Sequence, residues 1–292
     1  MKIAVFGKKI DKLFFTSCKT LFKVLKNNGV EVIIYRPFYE FLLSTVKMKP
    51  EVDGFFDDDN PLPKVDLLFS IGGDGTFLHA VTYVHDSGIP IVGINSGRLG
   101  FLADISQQEM EVVLADVFNG SYKVQQLDLI SLETDVDLFG KKNYALNELA
   151  ITKRDSSSMI TIHTYINNEF VNSYWADGLI IATTTGSTAY SLSVGGPIMH
   201  PDSHNFIITP IAPHNLTVRP MVVPNNVEIT LKVEGRDSKF LASLDSRSEI
   251  LDETVHLKVK KADFTINVIK LKGHSFFTTL RNKLMWGIDK RN

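Results

Sequence analysis

Along the first 120 or so residues, short unbroken apolar runs alternate with longer stretches in which apolar positions recur every three or four residues. The runs at 3–6, 30–35, 65–71 and 89–94 read as buried strands, and 11–28, 38–47, 76–86 and 106–119 as helices, the first closed by Gly29. Strands apolar on both faces, alternating with helices, predict an α/β layered domain built on a parallel sheet. From about Tyr122 the period shortens. Val124, Leu127, Leu129 and Ile130, and then 160–166, 227–233, 254–259 and 264–269, show strand-like spacing between clusters of Asn, Asp, Gly and Pro. That pattern predicts an antiparallel, β-rich second domain. Phe276, Phe277, Leu280 and Leu284 then mark an amphipathic helix over 275–286. The expected division is a first domain of residues 1–122, completed by a returning C-terminal helix at about 273–292, and a second domain of 123–272.

Composition narrows the function. A chain of 292 residues suggests about two domains, and 44% apolar with 22% charged residues is the balance of a folded protein. Lys plus Arg number 31 and Asp plus Glu 33, a net charge of 31 − 33 = −2, so no global positive field points to nucleic acid. The single cysteine, Cys18, excludes an internal disulfide framework and a cysteine-rich metal site, and fits a reducing compartment. No apolar run approaches the ~20 residues of a membrane helix. Residues 1–7 read as a first strand rather than a signal peptide, so a cytoplasmic protein with no membrane partner is expected. The acidic stretch 57–63 offers no spaced ligand set and reads as a solvated loop.

The sharpest chemical signal is Gly72-Gly73-Asp74-Gly75-Thr76, between the strand at 65–71 and the following helix. Glycines at such a turn let backbone N–H groups approach a phosphate, and the helix directs its positive end to the same place. An aspartate there can orient or deprotonate a hydroxyl beside the phosphates. There is no G-x-x-x-x-G-K-[ST] motif and no G-x-G-x-x-G after the first strand, where Gly7 is followed by Lys8 and Lys9, so a P-loop or a hydride-transferring Rossmann enzyme fits poorly. A second glycine-rich turn, with Gly93, Gly97 and Gly100, follows the 89–94 strand and should lie at the same sheet edge. In the β-rich half, Asn147-Glu148 offers donors and acceptors suited to a ribose or a base edge. Asp177-Gly178 leads through a strand to Thr185-Gly186-Ser187-Thr188-Ala189-Tyr190-Ser191-Leu192-Ser193, a loop of small hydroxyl residues where Tyr190 could stack on a base. His200 and His204 lack the glutamate of an H-E-x-x-H pattern and read as loop residues. Arg98, Lys153 and Arg154 read as surface charge with phosphate contact as the alternative.

Together these blocks resemble the bacterial NAD kinase family in order, spacing and two-domain layout, over essentially the whole chain. Gly-Gly-Asp-Gly-Thr alone is shared with diacylglycerol and sphingosine kinases; the combination is far more specific. The resemblance implies an NAD kinase-like fold and transfer of the γ-phosphoryl group of ATP to the 2′-hydroxyl of the adenosine ribose of NAD, giving NADP, with a divalent cation such as Mg²⁺. It implies that Asp74 is the catalytic proton acceptor and that Gly72, Gly73, Gly75 and Thr76 form the phosphate loop. Asp74, Gly75, His79, Asn147, Glu148, Asp177, the run 188–193 and Ala212 would contact the dinucleotide; no residue is assigned as a metal ligand. A homodimer or homotetramer, with dinucleotide contacts near subunit interfaces, is implied as well.

Two positions depart from the family pattern. Trp175 stands two residues before Asp177, where many members have Arg, and Ser246-Arg247 follows Asp245 where many read Gly-Gln. Arg247 could stand in for the missing charge at a phosphate. Two other readings stay open at this level: a lipid kinase of the diacylglycerol type, and a catalytically silent NAD(P)-binding regulator.

Overall fold

The computed structural model describes residues 1–154, 158–236 and 238–286, and divides into two compact units: 1–126 with 266–292, and 127–265.

The first unit is α/β. Strands β1 (Lys2–Gly7), β2 (Glu31–Tyr35), β3 (Gly54–Phe56), β4 (Leu67–Gly72) and β5 (Ile91–Asn95) pair in the order β5-β4-β1-β2-β3, all parallel. Helix α1 (Phe15–Asn27) buries Cys18, Leu21, Phe22 and Leu25, and α2 (Arg36–Phe41) runs on into a π turn, Leu42–Val46. Helix α3 (Asp74–Val84) buries Phe77, Ala80, Val81 and Val84, and α4 (Met110–Phe118) buries Met110, Val113, Leu114 and Val117. The chain leaves β1 toward β2 in one direction and β4 toward β5 in the other. With right-handed crossovers this places α1 and α3 on opposite faces and makes the β1/β4 boundary the switch point of the sheet. Gly7 pairs with Ile71, and Gly72 with Asn95, so the carboxyl ends of β1, β4 and β5 line up beside that boundary.

Several boundaries differ from expectation. The 11–28 stretch begins as a 3₁₀ turn, Lys12–Phe14, capped by Asp11, whose carboxylate accepts the Leu13 N–H. The 106–119 stretch likewise opens with 3₁₀ turn Gln107–Glu109 under a Ser106/Glu109 capping box. The 76–86 helix begins two residues earlier than its apolar pattern, which puts Asp74 in the first turn. Three-residue β3 is too short to register as a run. Cys18 is fully buried and its thiol is pushed up to about 12 by that burial, so it is a packing residue.

The second unit is antiparallel. It contains most of β6 (Tyr122–Thr134), then β7 (Tyr144–Ala145), β8 (Glu148–Lys153), β9 (Ile160–Ile166), β10 (Glu169–Ala176) and β11 (Gly178–Thr183), followed by the single-turn α5 (Tyr190–Ser193). Strands β12 (Asn205–Ile211), β13 (Met221–Pro224), β14 (Ile229–Glu234), β15 (Lys239–Leu244) and β16 (Arg247–Asp252) follow, with the first part of β17 (Leu257–Leu271). One sheet runs β13-β12-β11-β8-β15-β16; β10, β9, β14 and β17 pair successively in another. Alternate residues of both, among them Leu149, Ile151, Leu179, Ile181, Ile162 and Leu231, meet in one buried core. The expected strands at 254–259 and 264–269 are one continuous strand: Lys260, Lys261 and Asp263 interrupt the apolar run without interrupting the ladder. The last helix, α6 (Phe276–Leu284), belongs to the first unit and is capped by the Ser275 hydroxyl accepting the Thr278 N–H. Residues 287–292 of the expected helix lie outside the described residues. No described helix is long and apolar enough to cross a membrane.

Candidate functional site

In the first unit the glycine turn sits where a parallel sheet binds its ligands, outside the carboxyl ends of the strands at the switch point. Gly72 ends β4 and Gly73 caps α3 in extended conformation. Nothing lies within 4 Å of where a Cβ would stand on Gly73 or Gly75, so the protein's own packing does not demand glycine there. The open space lets a ligand reach the N–H groups at the start of α3, where Thr76 already donates to the Gly73 carbonyl at 3.0 Å.

Asp74 is anchored from outside its own turn. Its Oδ1 accepts the N–H groups of Leu102 (2.9 Å) and Ala103 (3.0 Å), and its Oδ2 that of Phe101 (3.0 Å). The ammonium of Lys283, on α6, stands 3.4 Å from Oδ2 and 5.0 Å over the Phe101 ring. Two donors thus face each oxygen, which fills the usual four acceptor positions of a carboxylate. The second glycine-rich turn supplies the backbone amides, at the same sheet edge as the first. Asn95 shapes that turn: its side-chain amide donates to the carbonyls of Arg98 and Ala103 and accepts the Gly97 N–H. Gly100 is required because a Cβ there would stand 2.7 Å from Asp74 Cγ. Arg98 itself is exposed. His79, one turn further along α3, is half-buried in an aromatic cluster, its ring 5.3 Å from Phe6 and 5.6 Å from Tyr83.

The second unit carries the other predicted residues in two groups. At the carboxyl end of β11, Asn147 and Glu148 are buried at the corner that opens β8, where Glu148 pairs with Ala182. Thr183 accounts for the corner, donating its hydroxyl to the Leu146 carbonyl and its N–H to that of Asn147. Gly186 packs so closely that a Cβ would sit 2.6 Å from the Asn147 carbonyl carbon. The loop then forms a 3₁₀ turn, Thr185–Thr188, and α5, whose first N–H, that of Tyr190, reaches the Glu148 carboxyl. Within the run 188–193, Ser191 turns inward onto the Thr209 hydroxyl at 3.0 Å, while the Tyr190 ring and Ser193 are exposed. Burial, with the neighbouring charge of Asp245, pushes the Glu148 carboxyl up to about 8.

Asp177 and Ala212 form a separate group at the other end of β11. Asp177 pairs with Lys153 at 2.7 Å and donates its N–H to Ile211, beside Ala212, which has a left-handed backbone (φ 43°). At about 3.3 Å per residue, β11 separates this group from Asn147 and Glu148 by roughly 20 Å. Trp175, half exposed, has its ring 4.3 Å from that of His214.

Arg247 is engaged within its own unit. Its guanidinium donates to the backbone carbonyls of Lys142 and Tyr144 and lies over the Tyr144 ring. His204 meets Asp128 at 2.7 Å, in a network with Asn225 and Lys261. Asp57 pairs with Arg36 and accepts the N–H groups of Asp59 and Asn60. Sequence reasoning missed Lys283, which acts across 209 residues, and Asn95, which shapes its own turn through the Gly97 N–H and the Arg98 and Ala103 carbonyls.

An aspartate at an open helix start, on the switch point of a parallel sheet, and an antiparallel unit rich in hydroxyl and amide groups are features suited to a phosphotransferase that acts on an alcohol group. Sequence models of the ATP-NAD kinase N-terminal and C-terminal domains match residues 3–122 and 146–271. The chain belongs to the NAD kinase family. It is 49% identical over 292 residues to the NAD kinase of Cytophaga hutchinsonii and 50% identical over 291 residues to that of Bacteroides fragilis, each match covering 100% of both chains. Among solved structures, an Archaeoglobus fulgidus NAD kinase in complex with ATP superposes with a TM-score of 0.76 at 27% identity, covering 98% of this chain and 99% of that one. A yeast NADH kinase complexed with NADH shares the fold, with a TM-score of 0.86 at 23% identity, covering 99% and 89%. The lipid-kinase and silent-regulator readings are set aside in favour of the kinase.

Proposed function

We propose that this protein transfers the γ-phosphoryl group of ATP to the 2′-hydroxyl of the adenosine ribose of NAD, with Asp74 as proton acceptor. The observation that carries the assignment of Asp74 is its carboxylate, at the start of α3 and held by the backbone amides of Phe101, Leu102 and Ala103. The hydroxyl oxygen attacks the γ-phosphorus, the bond to the β-phosphate oxygen breaks, ADP leaves, and the hydroxyl proton passes to Asp74. Of the four groups on that carboxylate, the Lys283 ammonium has the longest contact and the most freedom, so it is the one an incoming hydroxyl displaces. The N–H groups of the glycine turn and the α3 dipole stabilise phosphate charge.

The divalent cation is assigned to the phosphates of ATP. The oxygens of those phosphates supply most of the ligands that Mg²⁺ takes in such sites. The dinucleotide contacts are assigned to Asp74, Gly75, His79, Asn147, Glu148, Asp177, the run 188–193 and Ala212. The length of β11 between the Glu148 and Asp177 groups supports a homodimer or homotetramer, in which the Asp177 group serves a dinucleotide held by a neighbouring copy. A cytoplasmic location goes with these substrates.

The test is NADP formation by purified protein from ATP, Mg²⁺ and NAD, with Asp74→Asn alongside. NADP from the wild type, and a loss of orders of magnitude in the variant with NAD binding intact, is the expected result. Equal rates in the two proteins would remove Asp74 from the mechanism.

A further inference from the structure

Asp245 and Glu148 place two carboxyl groups side by side in the second unit, and their surroundings treat them differently. Asp245 begins the two-residue turn between β15 and β16, with a left-handed backbone (φ 52°). Its carboxylate accepts the N–H groups of Leu146 (2.9 Å), Asn147 (2.9 Å) and Glu148 (3.2 Å). Two residues on, Arg247 takes the carbonyls of Lys142 and Tyr144. The hairpin tip therefore grips the 142–148 segment twice, by its C=O groups and by its N–H groups. Glu148 receives much less. One oxygen accepts the Tyr190 N–H, while the other, Oε2, is buried and has no partner among the described residues.

Two neighbouring carboxyls resist joint ionisation. Three amide donors favour charge on Asp245; Glu148, with one, is the member that keeps a proton. An acceptor-only carboxylate would suit ribose hydroxyls, as the sequence alone suggests, but leaves a buried Oε2 carrying charge without a donor. A protonated Oε2 instead has a hydrogen to give.

We infer that Glu148 meets the bound dinucleotide as a neutral carboxylic acid, its Oε2–H donating to an acceptor atom of the ligand, and that Asp245 is the positioning residue that fixes both the Asn147–Glu148 backbone and this protonation state. The inference rests on the assignment of Glu148 to the dinucleotide site. The groups acting on the Glu148 carboxyl are the Asp245 charge from the hairpin and the Tyr190 amide from α5; the strand beside it presents Ala182. Burial, and after it the Asp245 charge, raise Glu148 to about 8; burial raises Asp245 as well, against the opposing pull of three amides and the Arg247 charge.

Two readouts test this. In the ligand-free protein, the Glu148 carboxyl carbon, assigned by its loss in Glu148→Gln, is followed by NMR across pH 4 to 10. A midpoint near 8 that drops by about one unit or more in Asp245→Asn is expected. A midpoint in the ordinary carboxylate range overturns the inference even if Asp245→Asn fails to fold. In calorimetry with NAD, wild-type affinity should hold up to about pH 8 and then fall about tenfold per unit. Glu148→Gln, whose amide donates at every pH, should lose that fall. A wild-type affinity flat to pH 9.5, or a variant that tracks the wild type, also overturns it. If Glu148→Ala binds NAD as tightly as the wild type while the NMR midpoint stays high, the failure lies in placing Glu148 at the dinucleotide, and the ligand half of the inference falls with that assignment.

Discussion

Two aspartates in this protein are held in the same way and lead to different chemistry. In the α/β unit, Asp74 takes the N–H groups of Phe101, Leu102 and Ala103; in the antiparallel unit, Asp245 takes those of Leu146, Asn147 and Glu148. Each is a carboxylate seated on three consecutive backbone amides. What differs is the fourth neighbour. Asp74 has the Lys283 ammonium, 3.4 Å away beside an open helix start, which is where the proposed mechanism brings the hydroxyl. Asp245 has a second carboxyl, so its charge acts on Glu148 instead. A seat of amides fixes a carboxylate in place; the remaining neighbour decides which other group it can act on.

The comparison can be broken at several points. Asp74→Asn removes the proton acceptor and should lower kcat by about 10²–10⁴-fold, measured as NADP formation. A loss below tenfold would reduce Asp74 to a structural seat like Asp245. Gly100→Ala pushes a methyl group into the Asp74 carboxylate, and a displacement of that size should cost about 10²-fold in kcat. Unchanged turnover would mean that the seat need not be tight.

Arg247→Ala releases the Lys142 and Tyr144 carbonyls and should lower unfolding free energy by about 1–3 kcal/mol in a denaturant titration. If it instead raised KM for NAD with stability intact, Arg247 would be a ligand contact after all. Ser275→Ala removes the cap of α6, the helix that carries Lys283, at about 1 kcal/mol by the same titration. The Glu148 proton has its own signature in stability. Folded protein keeps that proton between the ordinary value of 4.5 and about 8, where the unfolded chain has lost it. Stability from this group is therefore complete below 4.5 and declines as pH rises toward 8. Glu148→Gln should flatten that part of the profile.

The division into a parallel α/β half and an antiparallel half was legible because their apolar periods differ. The glycine turn was legible because Gly72, Gly73 and Gly75 cluster where a strand gives way to a helix. Other elements were hidden for identifiable reasons. Pro210 inside 205–211 argues locally against the strand β12, which nevertheless pairs on both sides. The polar residues 260, 261 and 263 made β17 look like two strands.

Sequence by itself thus determined the alternation of strands and helices in the first half, the strand-rich character of the second, and that an aspartate and glycines stand at one turn. These follow from local period and backbone freedom, properties of a few adjacent residues. Only the tertiary structure decided what each carboxyl does. The amides that seat Asp74 lie 27 to 29 residues away and Lys283 lies 209 away; those that seat Asp245 lie 97 to 99 away. Charge and hydrogen bonding act over a few ångströms of space, and no local pattern records which distant amide or ammonium the fold brings within that range.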